Sequence, residues 1–346
     1  MTENRNNYHV TDPVNRVSDP ASSMSSSSMG SLEVPGRTEA AQEEIADQLR
    51  KEWENAGIGN AFIFGKIMTT RPDLLLELLL YSLPEMQIQS ICDVRREVDI
   101  KLAIDARGVR LDVAVHDNTG RMIDVEMQLK DEKNIPRRMR YYFGAVDQTI
   151  LEIGEEYRKL RDSVIVFITP FDPFGKGLIR YTFRSICLED RELELGDGTT
   201  GVILNAAGTQ GNVSHELRDF LNLVSGLQNY EKDSFADRIQ EQVVRARQNS
   251  EWRRQYMDWK MTLLSERSKG REEGVLLERI STITQKVKRG VELSQIADAM
   301  EKDTETIRPI YDAVKAAAPD YDSEKILQKL RETIKADSIG AKGTVF

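Results

Sequence analysis

The chain has 346 residues, 40% of them hydrophobic, and a formal net charge of -9. That length buries a full core and suggests about two domains, while no apolar run reaches the roughly 18 residues of a membrane span and no basic-then-apolar leader marks secretion. Two cysteines, Cys92 and Cys187, are too few for a disulfide framework and point to a reducing cytoplasm, three scattered histidines argue against a His-rich zinc site, and the acidic balance argues against a generic DNA-coating protein while leaving room for a local basic surface.

In chain order, residues 1–40 are Ser-, Asn- and Pro-bearing with few apolar side chains, which predicts a disordered tail. A polar helix is expected over 41–57, followed by the start of a main domain spanning 58–210. Within it, "RPDLLLELLLYSL" (71–83) has Pro near its start and dense leucines, with one polar stripe through Asp73 and Glu77, and reads as a buried helix. "REVDIKLAID" (96–105) alternates strictly and reads as a half-buried strand. "GVRLDVAVHDNTGRMIDVEMQLK" (108–130) reads as two alternating strands joined by a turn. Residues 135–160 switch to helical periodicity, with Pro136 in the first turn, and "SVIVFITPF" (163–171) is a β-branched run suited to a central strand. Shorter strands are expected at 179–186 and 201–205; beyond them 211–335 is helical in pattern, and 336–346 reads as a flexible tail. The order is α-β-β-β-α-β plus further strands: an α/β core with a mixed sheet and a helical C-terminal region.

The 108–130 hairpin carries the chemistry. A three-residue loop, Asn118-Thr119-Gly120, with Gly120 in the left-handed position, sets Asp117 opposite Arg121, Val115 opposite Ile123, Val113 opposite Val125 and Leu111 opposite Met127. The apolar face then closes on itself, and a slip of one residue would set apolar against polar positions. The same register places Asp112 opposite Glu126 and Arg110 opposite Gln128, on a face that also holds Asp124 and His116. Two carboxylates about 5 Å apart repel by about 3 kcal/mol at an effective dielectric near 20. A divalent cation between them offsets this, and hard cations favour one or two carboxylates plus water and phosphate oxygens. An open, solvated face with Arg110 as diagonal counter-charge is the competing explanation.

Asp112, followed after thirteen residues by Glu126-Met127-Gln128, resembles the motif of PD-(D/E)XK nucleases, closest to the branch described as PD-(D/E)XK nuclease family transposases or recombination-promoting nucleases. There Gln commonly stands at the superfamily's Lys. The resemblance continues through "RRMRYYFGAVDQTILEIGEEYRKL", "VIVFITPFDPFGKGLIRYTF", "LNAAG", "SEWRRQYMDWK" and "RSKGREEG", from about 60 to about 275. It implies a restriction-endonuclease-like αβββαβ core and a Mg²⁺-dependent cut in DNA, with Mn²⁺ as a substitute. Asp112 and Glu126 would hold the metal, helped by the Met127 carbonyl and with Glu77 as a further candidate acid. Gln128 would stand near the nucleophile, although an amide orients a water without supplying charge or taking its proton. Arg138, Arg140, Tyr141 and Tyr142, opening the next helix, suit contacts to the DNA backbone.

Other signals are weaker. "GDGTTG" (196–201) leads into an apolar strand and not a helix, so it reads as a turn and not a dinucleotide-binding loop. "FGKG" (174–177) lacks the flanking residues of a phosphate-binding loop, and His116 reads as an exposed strand residue. Residues 293–314 have the outline of a helix-turn-helix, but Pro309 should kink or break the second helix, which favours a packing or interaction module. The Arg-rich stretch at 245–271 reads as a solvated or partner-binding helix. The helical region is the expected place for homo-oligomer contacts. The rival to the nuclease reading is a catalytically weak descendant acting as an interaction protein through that region.

Overall fold

A computed structural model describes residues 39–100, 109–151 and 155–340; the expected tail lies outside them up to residue 38. The described chain falls into two compact units, Thr38–Lys260 and one built around Met261–Phe346. Among the described residues no helix is long and apolar enough to cross a membrane.

The first unit opens with α1 (Glu39–Glu54), α2 (Ala61–Thr70) and α3 (Pro72–Ser82). Asn60 caps α2, its side chain accepting the Phe62 and Ile63 amides at 3.0 and 3.3 Å, and Pro72 starts α3, where a missing N–H costs nothing. The helix expected to be polar, α1, is anchored at its end: Trp53 is buried, donates from Nε1 to the Arg247 carbonyl at 3.1 Å, and packs on Phe62 and Tyr256.

The sheet follows as β1 (Ile91–Ile100), β2 (Val109–Asp117), β3 (Met122–Met127), then α4 (Ile135–Ile150), β4 (Ser163–Thr169), β5 (Arg180–Phe183) and β6 (Thr199–Asn205). The strand order is β1-β2-β3-β4-β6-β5. β1, β2 and β3 are antiparallel neighbours, β3–β4 and β4–β6 are parallel, and β5 closes the edge antiparallel to β6. The αβββαβ order is therefore present, in a six-stranded mixed sheet with flanking helices. The first strand begins earlier than the alternation suggests, at Ile91, and residues 101–105 of the expected strand lie outside the described residues, as do the side chains of 97–111, Arg110 among them. The helix expected over 135–160 stops at Ile150, and a separate 3-10 turn covers Tyr157–Lys159.

Both faces of the sheet are covered. On one face Val113, Val115, Ile123, Val125, Val164, Val166, Val202 and Leu204 pack with the leucines of α3 and with α2. This core also takes in α5 (His215–Val224) and α6 (Phe235–Gln248), through Leu217, Phe220, Leu221, Phe235, Ile239 and Val243. That shared core is why the first unit extends to Lys260 and does not end near 210. The other face is covered by α4: Ile135, Met139, Tyr142, Ala145 and Val146 recur at helical spacing and meet Ala114, Met122, Ile165, Phe167 and Ile203. Each large side chain so buried contributes about 1.5–3 kcal/mol. Gly201 of β6 keeps this contact close, since a Cβ there would collide with the Met139 side chain.

α7 (Ser250–Lys288) runs on into the second unit, which continues with α8 (Leu293–Ala299), α9 (Thr304–Ala316) and α10 (Ser323–Gly340). Its core is Ile280, Ile283, Ile296, Ile307, Ile310, Val314, Ile326 and Leu330. Pro309 does not break α9: it lies on the exposed face near the helix start, where the carbonyl it leaves without a partner is free to meet water, while Ile307, Ile310 and Val314 hold the opposite face in the core. The exposed side of α9 mixes Glu305 and Asp312 with Arg308 and Lys315, which lacks the cationic excess that phosphate binding needs. α10 keeps its helical backbone to Gly340, past the expected start of a flexible tail at 336.

Candidate active site

The hairpin turn forms as the sequence indicates. Gly120 has φ of 81°, its amide donates to the Asp117 carbonyl at 3.0 Å, and the Asp117 amide donates to Arg121 O at 3.0 Å. The buried Asp117 side chain adds what the sequence did not reveal. Its Oδ1 accepts from the Thr119 amide, the Thr119 hydroxyl and the Arg121 amide at 2.8, 2.6 and 3.0 Å.

From that turn the ladder runs His116–Met122, Val115–Ile123, Ala114–Asp124 and Val113–Val125. One step further, side chains take over from the backbone. The Asp112 amide donates to Glu126 Oε1 at 2.9 Å, and the Met127 amide donates to Asp112 Oδ2 at 3.1 Å. The two carboxylates thus face each other across the strands, as the register requires. The face that carries them is not solvated: Asp124 is fully buried, Glu126 is 1% exposed and Gln128 is buried, beneath α4. The open, solvated face of the competing explanation is absent here, because the helix after β3 folds back over it.

Burial first, and the charge of Asp112 second, push the Glu126 carboxyl up to about 8, against the opposing pull of Arg138. Burial, with Glu126 and Asp112 beside it, holds Asp124 well above the usual carboxylate range. The Asp124 and Glu126 carboxyls are hydrogen-bonding neighbours, an arrangement that requires a proton on one of them. Asp124 is a constituent of the site that the motif did not single out; its place on the same face of β3 as Glu126 was the available signal.

Arg138, in the first turns of α4, reaches into this cluster. Its Nη2 donates to Glu126 Oε2 at 2.6 Å and to the Tyr142 hydroxyl at 2.7 Å, its Nε donates to the same hydroxyl at 2.9 Å, and its Nη1 donates to Gln128 Oε1. The guanidinium also lies over the rings of Tyr142 and Phe167, 5.1 and 5.4 Å from their centroids. Burial, then Glu126, raises the Tyr142 hydroxyl to about 12, so it remains a neutral partner. Gln128 is held at both ends, since its Nε2 donates to the Lys130 carbonyl at 2.6 Å.

The structure thus gathers Asp112, Glu126, Gln128, Arg138 and Tyr142. Arg138 and Tyr142 point into the cluster, whereas Arg140 and Tyr141 lie on the exposed side of α4. Glu77 is not brought in: α3 packs on the opposite face of the sheet, and Glu77 pairs with Arg238 of α6. His116 sits beside Asp93, Nδ1 to Oδ2 at 3.6 Å, well short of the cluster along β2. "GDGTTG" is a turn into β6, with Gly196 and Gly198 at φ of 70° and 77°. A separate cleft lined by Arg121, Asp162, Arg184, Asp197 and Thr199 opens at the other end of β4 and β6. Its arginines are paired, Arg121 with Asp117 at 3.2 Å and Arg184 with Glu194 at 3.0 Å.

Among the described residues no three acidic, His or Cys side chains converge as a ready metal cage. The facing pair still suits a hard divalent cation, which needs one or two carboxylates and takes its other positions from water and phosphate. Asp112, Asp124 and Glu126 lie together on this face, with the Arg138 guanidinium against Glu126.

A mixed sheet with an acidic pair facing across β2 and β3 under a covering helix defines an α/β core of the PD-(D/E)XK type. Residues 61–205 match the model of a family described as PD-(D/E)XK nuclease family transposase. No curated protein and no solved structure matches the chain.

Proposed function

We propose that the protein is a metal-dependent DNA endonuclease, hydrolysing phosphodiester bonds in the course of transposition or recombination. The observation that carries this reading is the facing of Asp112 and Glu126 in a covered site, within a core that matches a nuclease family. Asp112 and Glu126 would hold the ion, Mg²⁺ or Mn²⁺. When bound, such an ion polarises the phosphate and lowers the pKa of a water. The cross-strand bonds between Asp112 and the Glu126–Met127 segment fix both carboxylates before any ion arrives, so little ordering remains to be done on binding. Gln128, tied to Lys130 and Arg138, keeps its amide in one orientation and acts by positioning. Arg140 and Tyr141, exposed on the same helix, would contact the DNA backbone. The enzyme would act in the cytoplasm and self-associate through the helical second unit.

Nicking of supercoiled plasmid tests the reading, with wild type and Asp112→Ala compared in Mg²⁺, Mn²⁺ or chelator. Metal-dependent nicking that disappears in Asp112→Ala is expected. No nicking in any metal, with equal melting temperatures for the two proteins with and without metal, would replace it with an interaction protein of nuclease fold.

A further inference from the structure

Phosphodiester hydrolysis puts negative charge on the phosphoryl oxygens and the leaving oxygen, and a site accelerates it by holding cationic donors where that charge develops. Among the described residues, what the hairpin brings to this face is Asp112, Asp124, Glu126 and the neutral amide of Gln128. The guanidinium that closes on this face comes from outside the hairpin, from the fourth residue of α4, and touches Glu126 and Gln128 together.

The placement of Arg138 is not what a packing role alone would select. A cation in the first turns of a helix opposes the helix dipole, and a guanidinium against two aromatic rings gives up much of its hydration. It is held there by a carboxylate, an amide and a phenol at once. Among the described residues these partners engage four of its five N–H groups, and the second hydrogen on Nη1 is left for an incoming oxygen. The side chain keeps 29% of its surface exposed, so an oxygen has access to it.

On the basis of the nuclease reading, we infer that Arg138 is a catalytic residue, the fixed cation of this site, donating to an oxygen of the phosphate under attack. In the reaction the water oxygen bonds to phosphorus and gives a proton to solvent. The P–O bond to the sugar breaks, its electron pair passing to the leaving oxygen, which takes a proton from solvent. Arg138 transfers no proton; it lowers the cost of the charge on the phosphoryl group. Gln128 and Tyr142 are its positioning residues, which gives the motif amide a task it can perform.

The test compares wild type, Arg138→Gln and the double variant Arg138→Gln/Gln128→Lys, reading both plasmid nicking at saturating Mn²⁺ and Mn²⁺ affinity by calorimetry. Arg138→Gln is expected to lower the nicking rate by about 100-fold or more, the usual consequence of removing one charge-stabilising donor. Its Mn²⁺ affinity should hold or tighten several-fold, because a repelling neighbour has gone. The double variant, with a lysine charge restored from the residue after β3, should recover at least about tenfold of the loss. If Arg138→Gln fails to fold, the double variant decides alone: nicking above the Asp112→Ala level supports the inference and nicking at that level overturns it. Wild-type rates in Arg138→Gln would make the arginine a plug, and loss of Mn²⁺ binding together with nicking would make it a structural brace; either result overturns the inference and leaves the nuclease reading standing. A wild-type protein without metal-dependent nicking removes both.

Discussion

Glu126→Gln should stabilise the metal-free protein at pH 8 and bring little benefit at pH 5. Burial and Asp112 carry the Glu126 carboxyl from an ordinary 4.5 to about 8. The sign follows from linkage. Below 4.5 the group is protonated in both folded and unfolded chains; between 4.5 and about 8 only the folded chain keeps the proton, so stability falls as pH rises through that window. Each tenfold difference in proton affinity between the folded and unfolded chains is worth about 1.4 kcal/mol, so by pH 8 several kcal/mol have been lost. An amide mimics the protonated carboxyl and avoids that loss, less the value of the ion pair to Arg138 at 2.6 Å. A net gain of about 2–3 kcal/mol corresponds to about 4–12 °C in melting temperature for a unit of this size. Thermal unfolding in chelator at the two pH values measures it. With saturating Mn²⁺ the order should reverse, because only the wild type gains from the bound ion. A variant no more stable than wild type at pH 8, or equally shifted at both pH values, would refute the reasoning.

Asp117→Ala removes three bonds that hold the hairpin turn and should cost about 2–3 kcal/mol by denaturant unfolding, with wild-type stability contradicting the role given to that side chain. Gly208→Ala sets a Cβ 2.7 Å from Ile179 Cα, where backbone must shift; a loss of about 2–3 kcal/mol is expected in the same assay. Tyr142→Phe takes the shared acceptor from two N–H groups of Arg138; it should slow nicking several-fold while leaving Mn²⁺ affinity unchanged, and an unaltered rate would show that the phenol does not position the guanidinium.

The hairpin register was legible because two local constraints agree: Gly120 needs a left-handed turn, and the apolar positions match only in one alignment. The strand and helix order was legible from periodicity for the same reason. What covers the acidic face was not. The alternation of Asp112, Asp124, Glu126 and Gln128 with apolar residues looks like a solvated strand edge, and only the docking of Met139 and Tyr142 over Phe167 makes it an interior. Arg138 was visible as a basic residue near the hairpin, but its inward direction depends on the pitch at which α4 meets the sheet. Glu77 misled because the polar stripe of α3 fits an active-site acid and a surface ion pair equally well, and the long-range partner Arg238 decides between them. The continuation of the core past 210 was hidden likewise, since α5 and α6 bring apolar faces whose target is fixed only in three dimensions.

The most direct test of the central claim is an anomalous difference map from crystals of the protein with a DNA duplex and Mn²⁺. A peak between the carboxylates of Asp112 and Glu126, adjoining a phosphate oxygen, is the expected result. DNA bound with the ion elsewhere, or with no ion at this pair, would contradict the assignment of the active site.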